Sequence, residues 1–159
     1  PHIFSTTLRK NLTFYQSDAT EEEIAHALEL VGLTSLVTEL PKGLDTVVGE
    51  GGRSLSGGQS QRVALARAVL HRTCRVLVFD EPTAHLDIET EWELKQRMLP
   101  LMEGKLVFFA THRLHWLSEM DEILLLEDGQ VRDFGSYEAL SKASSFAYLS
   151  SHEKESGDV

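Results

Sequence analysis

The chain changes its hydrophobic pattern near residue 71. Before that point the apolar positions follow a helical period. Ile24, Ala27, Leu28 and Val31 recur at i, i+3, i+4 and i+7 behind the capping box Thr20-Glu-Glu-Glu23, which predicts an amphipathic helix stopped at Gly32. A short second helix is expected over 34–39, ahead of Pro41. Five of the chain's eleven glycines fall between positions 49 and 58, so the stretch from Pro41 to Gly58 reads as loop. Helix resumes near Gly58 and continues to about His71.

Beyond residue 71 the pattern alternates between strand and helix. RVLVFDE (75–81), KLVFFATH (105–112) and EILLLED (122–128) are continuous apolar runs ending in polar groups, the composition of strands in a sheet covered on both faces. Between the first two, Leu94, Arg97, Met98 and Leu101 stand at helical spacing, so strand, helix and strand imply a right-handed parallel crossover. Asp128-Gly129 is a strong hairpin signal and predicts a final antiparallel pair at an edge. A last helix is expected over roughly 137–149, followed by a polar tail. The fold class is therefore α/β, and no internal repeat interrupts it.

Composition narrows the function classes. A chain of 159 residues with 42% apolar and 25% charged residues can form one domain with a core. It has no apolar run near the ~20 residues that cross a bilayer and no leader-like pattern in its first thirty residues, so a soluble segment is expected. The start at Pro1 points to a piece of something longer. Fifteen Lys and Arg against 25 Asp and Glu give a net charge of −10, which makes nucleic acid a poor partner. The single cysteine, Cys74, excludes a disulfide framework and a thiolate metal cluster, and reads as a small residue near a strand start.

Two places carry candidate chemistry. Ligands of open parallel sheets bind beyond the carboxyl ends of the strands, where Asp80, Glu81 and His112 all fall. An Asp-Glu pair there suits a hydrated Mg²⁺ and the activation of a water, although the same two residues could simply be solvated as the chain leaves a strand. His112 could likewise be an ordinary residue after a strand. Ser56-Gly57-Gly58 opens a helix: its amides and dipole favour an anion, and glycine lets that anion approach the backbone, while a capped tight turn accounts for the same residues.

Together these residues form a pattern. Leu55-Ser56-Gly57-Gly58-Gln59, followed by Gln61-Arg62 and ALARA, resembles the signature motif of ABC proteins. VLVFDE (76–81) resembles their Walker B strand, Pro82 to Asp87 their D-loop, and His112 in ATHRL falls where their switch histidine lies. TVVGEGG (46–52), with Val48, Gly49 and Glu50, is similar to the X-loop of exporter-type members, and residues 1–14 are similar to the stretch after the exporter Q-loop. The segments DEPTAHLDIETEWELKQRMLPLM and FFATHRLHWLSEMDEILLLEDG also resemble exporter subunits that move cysteine or glutathione for cytochrome bd assembly.

The resemblance implies an incomplete P-loop NTPase fold of the ABC ATPase type: a helical subdomain, then the C-terminal half of the parallel-sheet core with a terminal β-hairpin. The implied divisions are 1–11 after the Q-loop, 12–70 helical with the signature, 71–149 core and 150–159 tail. The implied cofactors are ATP and Mg²⁺. Leu55, Ser56, Gly57, Gly58 and Gln59 would contact ATP held by a second nucleotide-binding domain, identical or different. Asp80 would hold Mg²⁺ through water, Glu81 would be the general base, His112 would contact the γ-phosphate and Asp87 would link the two sites. Val48, Gly49 and Glu50 would meet the transmembrane domains of an exporter at the cytoplasmic face of the membrane, with no insertion by this segment.

Two positions depart from the family pattern. His85 stands where the D-loop usually has serine, and the phosphate loop G-x-x-x-x-G-K-[ST] is absent, since the only Gly-Lys pair, Gly104-Lys105, runs into Leu106. The chain alone is therefore expected to be inactive. A different class of function stays open at this level: a non-hydrolysing module that presents its LSGGQ surface to a partner ATPase. A DNA-linked ATPase is disfavoured by the charge and by the lack of flanking heptads.

Overall fold

The computed structural model describes residues 2–14 and 18–142. The chain divides into two compact units, Pro1–Phe109 and Ala110–Val159.

The first unit begins with a two-residue strand β1 (Thr6–Thr7), which leads directly into helix α1 (Leu8–Leu12). Thr7 caps α1 by accepting from the Lys10 N–H. Helix α2 (Glu21–Leu30) starts as predicted. The Thr20 hydroxyl accepts from the Glu23 N–H, and the Glu23 carboxylate accepts from the Thr20 N–H at 2.7 Å. It also stops as predicted. Gly32 takes φ +66, and the N–H groups of Gly32 and Leu33 bond back to Glu29 and Leu28, the double closure that a glycine beyond the last turn permits. Helix α3 (Thr34–Glu39) follows.

The predicted loop between 41 and 58 contains order that the glycine count concealed. A 3₁₀ turn over Gly43–Asp45 leads into strand β2 (Val47–Val48), which pairs antiparallel with β1, Thr6 opposite Val48 and Thr7 opposite Val47. Helix α4 (Gly57–Leu70) then buries Val63, Leu65, Ala66 and Leu70. These side chains, with Leu8 and Leu12 of α1 and Ile24, Ala27 and Leu28 of α2, make the core of the helical part. Each fully buried aliphatic side chain contributes about 1.5–3 kcal/mol.

Strand β3 (Val76–Asp80), helix α5 (Ile88–Met102) and strand β4 (Leu106–Ala110) form the crossover that the sequence predicts. The two strands are hydrogen-bonded neighbours. The Leu106 N–H donates to the Arg75 carbonyl at 2.9 Å, so both strands begin side by side, as a parallel pair does. Leu77 and Phe79 are buried and line one small cavity with Leu65 of α4 and Met98, Leu101 and Met102 of α5. The opposite face is bare: Val76, Val78, Leu106 and Phe108 are exposed, Val78 by 74%. The expectation of a sheet covered on both faces therefore holds for one face only among the described residues, where no element of the first unit packs on the other.

In the second unit, a 3₁₀ turn over Leu114–Glu119 buries Trp116 completely. Strands β5 (Ile123–Glu127) and β6 (Gln130–Gly135) make the predicted hairpin. Asp128 at φ 50 and Gly129 at φ 75 form the two-residue turn whose twist suits an antiparallel pair. Among the described residues this hairpin is a separate two-stranded sheet. The last helix, expected over 137–149, is present as α6 (Tyr137–Leu140), and positions 143–149 and the tail lie outside the described residues.

Candidate functional site

The start of α4 is built by reciprocal capping. The Ser56 hydroxyl accepts from the Gln59 N–H at 3.1 Å, and the Gln59 side-chain oxygen accepts from the Ser56 N–H at 2.9 Å. This settles where the Gln59 amide oxygen goes. It also leaves the Ser56 hydroxyl proton available to an outside acceptor, since a hydroxyl that accepts one bond can still donate one. The Gly57 and Gly58 amides lie ahead of the first intrahelical bonds, at the positive end of a 14-residue helix.

The glycines serve a second purpose that the sequence reading did not assign. A Cβ on Gly58 would lie 3.1 Å from the His85 carbonyl oxygen and 3.3 Å from Leu86 Cδ2, and one on Gly57 would lie 3.4 Å from the His85 ring. The loop that leaves β3 thus packs directly on the helix start, and side-chain-free positions allow the approach.

That loop carries the two carboxylates of the Asp-Glu pair. Asp80 ends β3 and is exposed. Glu81 follows at φ 46, a left-handed conformation costly for a residue with a side chain and common where function fixes the backbone. The Glu81 carbonyl accepts from the Ala84 N–H at 3.3 Å, and the Thr83 carbonyl from the Leu86 N–H at 3.0 Å. Gln61, one turn into α4 and 6% exposed, braces both ends of this turn. Its amide nitrogen donates to the Glu81 carbonyl at 2.5 Å, and its amide oxygen accepts from the His85 N–H at 3.2 Å. Below the turn, the Thr83 hydroxyl donates to the fully buried Glu91 carboxylate at 2.5 Å.

Asp87 caps α5. One carboxylate oxygen accepts from the Thr90 N–H at 2.9 Å and the other from the Thr90 hydroxyl at 2.7 Å. These two bonds, helped by the positive charge of Arg62, hold the Asp87 carboxyl below the ordinary aspartate range. Burial lowers the Arg62 guanidinium from its usual value, against the pull of Asp87. Arg62 reaches the Gly32 carbonyl at 2.9 Å, so it also ties α4 to the end of α2.

The predicted X-loop residues gather at a neighbouring cleft. Val48 is fully buried and serves the core. Gly49, at φ +87, leaves room for the Phe4 carbonyl, which would lie 3.0 Å from an added Cβ. The Glu50 carbonyl accepts from the Ser5 hydroxyl at 2.5 Å. Gly49, Glu50 and the signature residue Leu55 line one open cleft of about 460 Å³. The structure therefore brings together the signature, the Asp80–Asp87 loop and the X-loop within the first unit. His112 belongs to the second unit, where it is exposed just past β4.

Among the described residues no three His, Cys, Asp or Glu side chains gather as a metal cage. The donor set still fits Mg²⁺ of the kind that keeps several waters and rides on a nucleotide, which needs one or two exposed carboxylates and not a cage. Glu91 is the residue that sequence reasoning missed, and Gln61 and Thr83, noted there only inside motif resemblances, were given no part in bracing the turn. The signal for Gln61 was a polar residue on the helix side that also carries Leu65.

A capped glycine helix start packed against an Asp-Glu turn that leaves a parallel strand defines an ABC-type ATPase fold. A family model described as ABC transporter matches residues 2–84, and the chain belongs to that family. Over 140 residues it is 56% identical to the glutathione/L-cysteine transport system ATP-binding/permease protein CydC of Bacillus subtilis (strain 168), covering 88% of this chain and 24% of that protein. It is 41% identical over 150 residues to the ATP-dependent lipid A-core flippase of Vibrio vulnificus (strain YJ016), covering 93% of this chain and 26% of the flippase. Its fold is similar to that of a bacterial Atm1-family ABC exporter solved with ATP bound, at a TM-score of 0.82 and 31% identity over 95% of this chain and 26% of the exporter. The chain spans about a quarter of the length of these relatives. No helix among the described residues is long and apolar enough to cross a membrane.

Proposed function

We propose that the chain is the C-terminal part of the ATP-binding domain of an exporter, with a helical subdomain over 12–70 and the second half of the core over 71–149, and that the intact parent couples ATP hydrolysis to transport. The observation that carries this reading is the start of α4, where Ser56 caps the helix through the Gln59 N–H and Gly57 and Gly58 pack beside the Asp80–Asp87 turn. Such a start suits a phosphate, and the resemblance of Leu55–Gln59 to the ABC signature motif supports a nucleotide held mainly by another domain. The partner is therefore a second nucleotide-binding domain, and the Ser56 hydroxyl with the Gly57 and Gly58 amides donates to its nucleotide's γ-phosphate, flanked by Leu55 and Gln59.

In the intact parent, Asp80 would be the carboxylate that holds a hydrated Mg²⁺ and Glu81 would accept the proton of the attacking water. His112 donates to the γ-phosphate, and Asp87 contacts the opposite half. When bound, Mg²⁺ supplies neutralisation of phosphate charge, the main requirement of phosphoryl transfer. Gly49 and Glu50, with Val48 fixing their loop, present the surface that meets the transmembrane domains, which places the chain at the cytoplasmic face of a membrane. Similarity to CydC supports a cysteine or glutathione cargo. The relatives are transporters, and this disfavours the free-standing module.

The test measures ATP turnover by the full-length parent and by the 159-residue chain. The parent should turn over ATP and lose that activity in Glu81→Gln while still binding nucleotide. The isolated chain should show none. Turnover by the isolated chain that disappears in its own Glu81→Gln variant would refute the assignment of half a site. For the cargo, vesicles containing the parent should accumulate labelled cysteine or glutathione with ATP, and indifference to both thiols would remove that part.

A further inference from the structure

We infer that Gln61 is a positioning residue for Glu81: it transmits the seating of α4 on a phosphate to the backbone that aims the general base. The inference rests on Glu81 being that base. Glu81 stands at φ 46, where its side-chain direction depends on the peptide that Gln61 holds. The brace has two separable bonds, donation from the Gln61 amide nitrogen to the Glu81 carbonyl at 2.5 Å and acceptance by its amide oxygen from the His85 N–H at 3.2 Å. Gln61 lies three residues beyond Gly58, hence on the same side of α4 as the glycine packed against the His85 carbonyl. A buried amide with both ends engaged is not a solvated helix residue: it makes α4 and the 81–85 turn one rigid piece. A helix start that answers to one nucleotide is thereby joined to the carboxylate that acts on the other.

Displacing a reacting group by about 1 Å can cost about 100-fold in rate. The experiment uses the full-length parent with three substitutions, reading kcat, KM for ATP, equilibrium ATP binding and melting temperature. Gln61→Glu keeps the acceptor for His85 and loses the donor to Glu81. Gln61→Met keeps the length and apolar volume and loses both bonds. Glu81→Gln controls the underlying assignment. The expected result is a fall in kcat of about 10- to 100-fold in both Gln61 variants, with KM and ATP binding changed less than about twofold, since the phosphate contacts at Ser56, Gly57 and Gly58 stay intact.

Wild-type kcat in Gln61→Glu and Gln61→Met, alongside a dead Glu81→Gln, overturns this inference alone. Undiminished turnover in Glu81→Gln overturns the base assignment and the inference with it. Loss of kcat in Gln61→Met that tracks an equal loss of ATP binding and a collapsed melting temperature makes Gln61 a purely structural residue and also overturns it.

Discussion

One methyl group added at Gly58 should unsettle the junction between α4 and the 81–87 turn, whereas the same group at Gly57 should not. On Gly58 the new carbon would meet the His85 carbonyl oxygen at 3.1 Å and Leu86 Cδ2 at 3.3 Å. Neither neighbour yields easily: the His85 N–H is held by Gln61, the Leu86 N–H by the Thr83 carbonyl, and Leu86 is buried. Overpacking of this kind costs about 1–3 kcal/mol, and replacing glycine by alanine in a helix returns up to about 1 kcal/mol. Gly58→Ala should therefore lose about 1 kcal/mol net, or about 2–4 °C in melting temperature for a chain of this size. On Gly57 the carbon would meet the His85 side chain at 3.4 Å and beyond, ordinary contact distances that need no neighbour to move. Gly57→Ala should be neutral or slightly stabilising. Thermal unfolding of the 159-residue chain followed by far-ultraviolet circular dichroism compares them, and a Gly58→Ala chain that melts at or above Gly57→Ala would refute the packing argument.

Two further outcomes follow from the structure. The Asp87 carboxyl is held below its ordinary range by the Thr90 N–H and hydroxyl, so its contribution is fully present above the ordinary aspartate value of about 3.9 and is lost as pH falls through the lowered folded value. The melting-temperature advantage of wild type over Asp87→Ala should thus be constant near neutrality and close in acid below about pH 4, and an advantage unchanged by acid would refute the cap. The bare face of β3 and β4, with Val78 74% and Phe108 56% exposed, should make the isolated chain self-associate. Sedimentation should show larger species that Val78→Lys with Phe108→Lys shifts toward monomer, and a monomeric wild type would count against it.

What could be read from sequence was whatever is decided within a few residues. Thr20 and Glu23 satisfy each other, Gly32 closes its helix by its own φ, and Asp128-Gly129 sets a turn without help from elsewhere. Long-range pairing stayed hidden. Strand β2 forms because Val47 and Val48 meet Thr7 and Thr6, a partnership that a glycine-rich stretch does not announce. Gln61 was legible as part of a motif, but its bracing of the 81–85 turn was not, because its two partners lie 20 and 24 positions away. The apolar run of β3 reads as buried on both faces, and the structure leaves one of them bare, so the sequence there describes surroundings larger than the chain itself.

Arg67 lies in the last turn of α4, and its guanidinium donates to the Asn11 carbonyl at 2.6 Å, the His2 carbonyl at 2.7 Å and the Asn11 side-chain oxygen at 2.8 Å. Asn11 in turn holds both the N–H and the carbonyl of Phe4 at 2.9 Å. Fourteen residues of α-helix are a strut about 21 Å long. Its far end is bolted to the 2–4 segment ahead of β1, whose Phe4 carbonyl lies against Gly49 and whose strand pairs with β2, so a tilt imposed at the glycine end becomes leverage on the 46–52 loop.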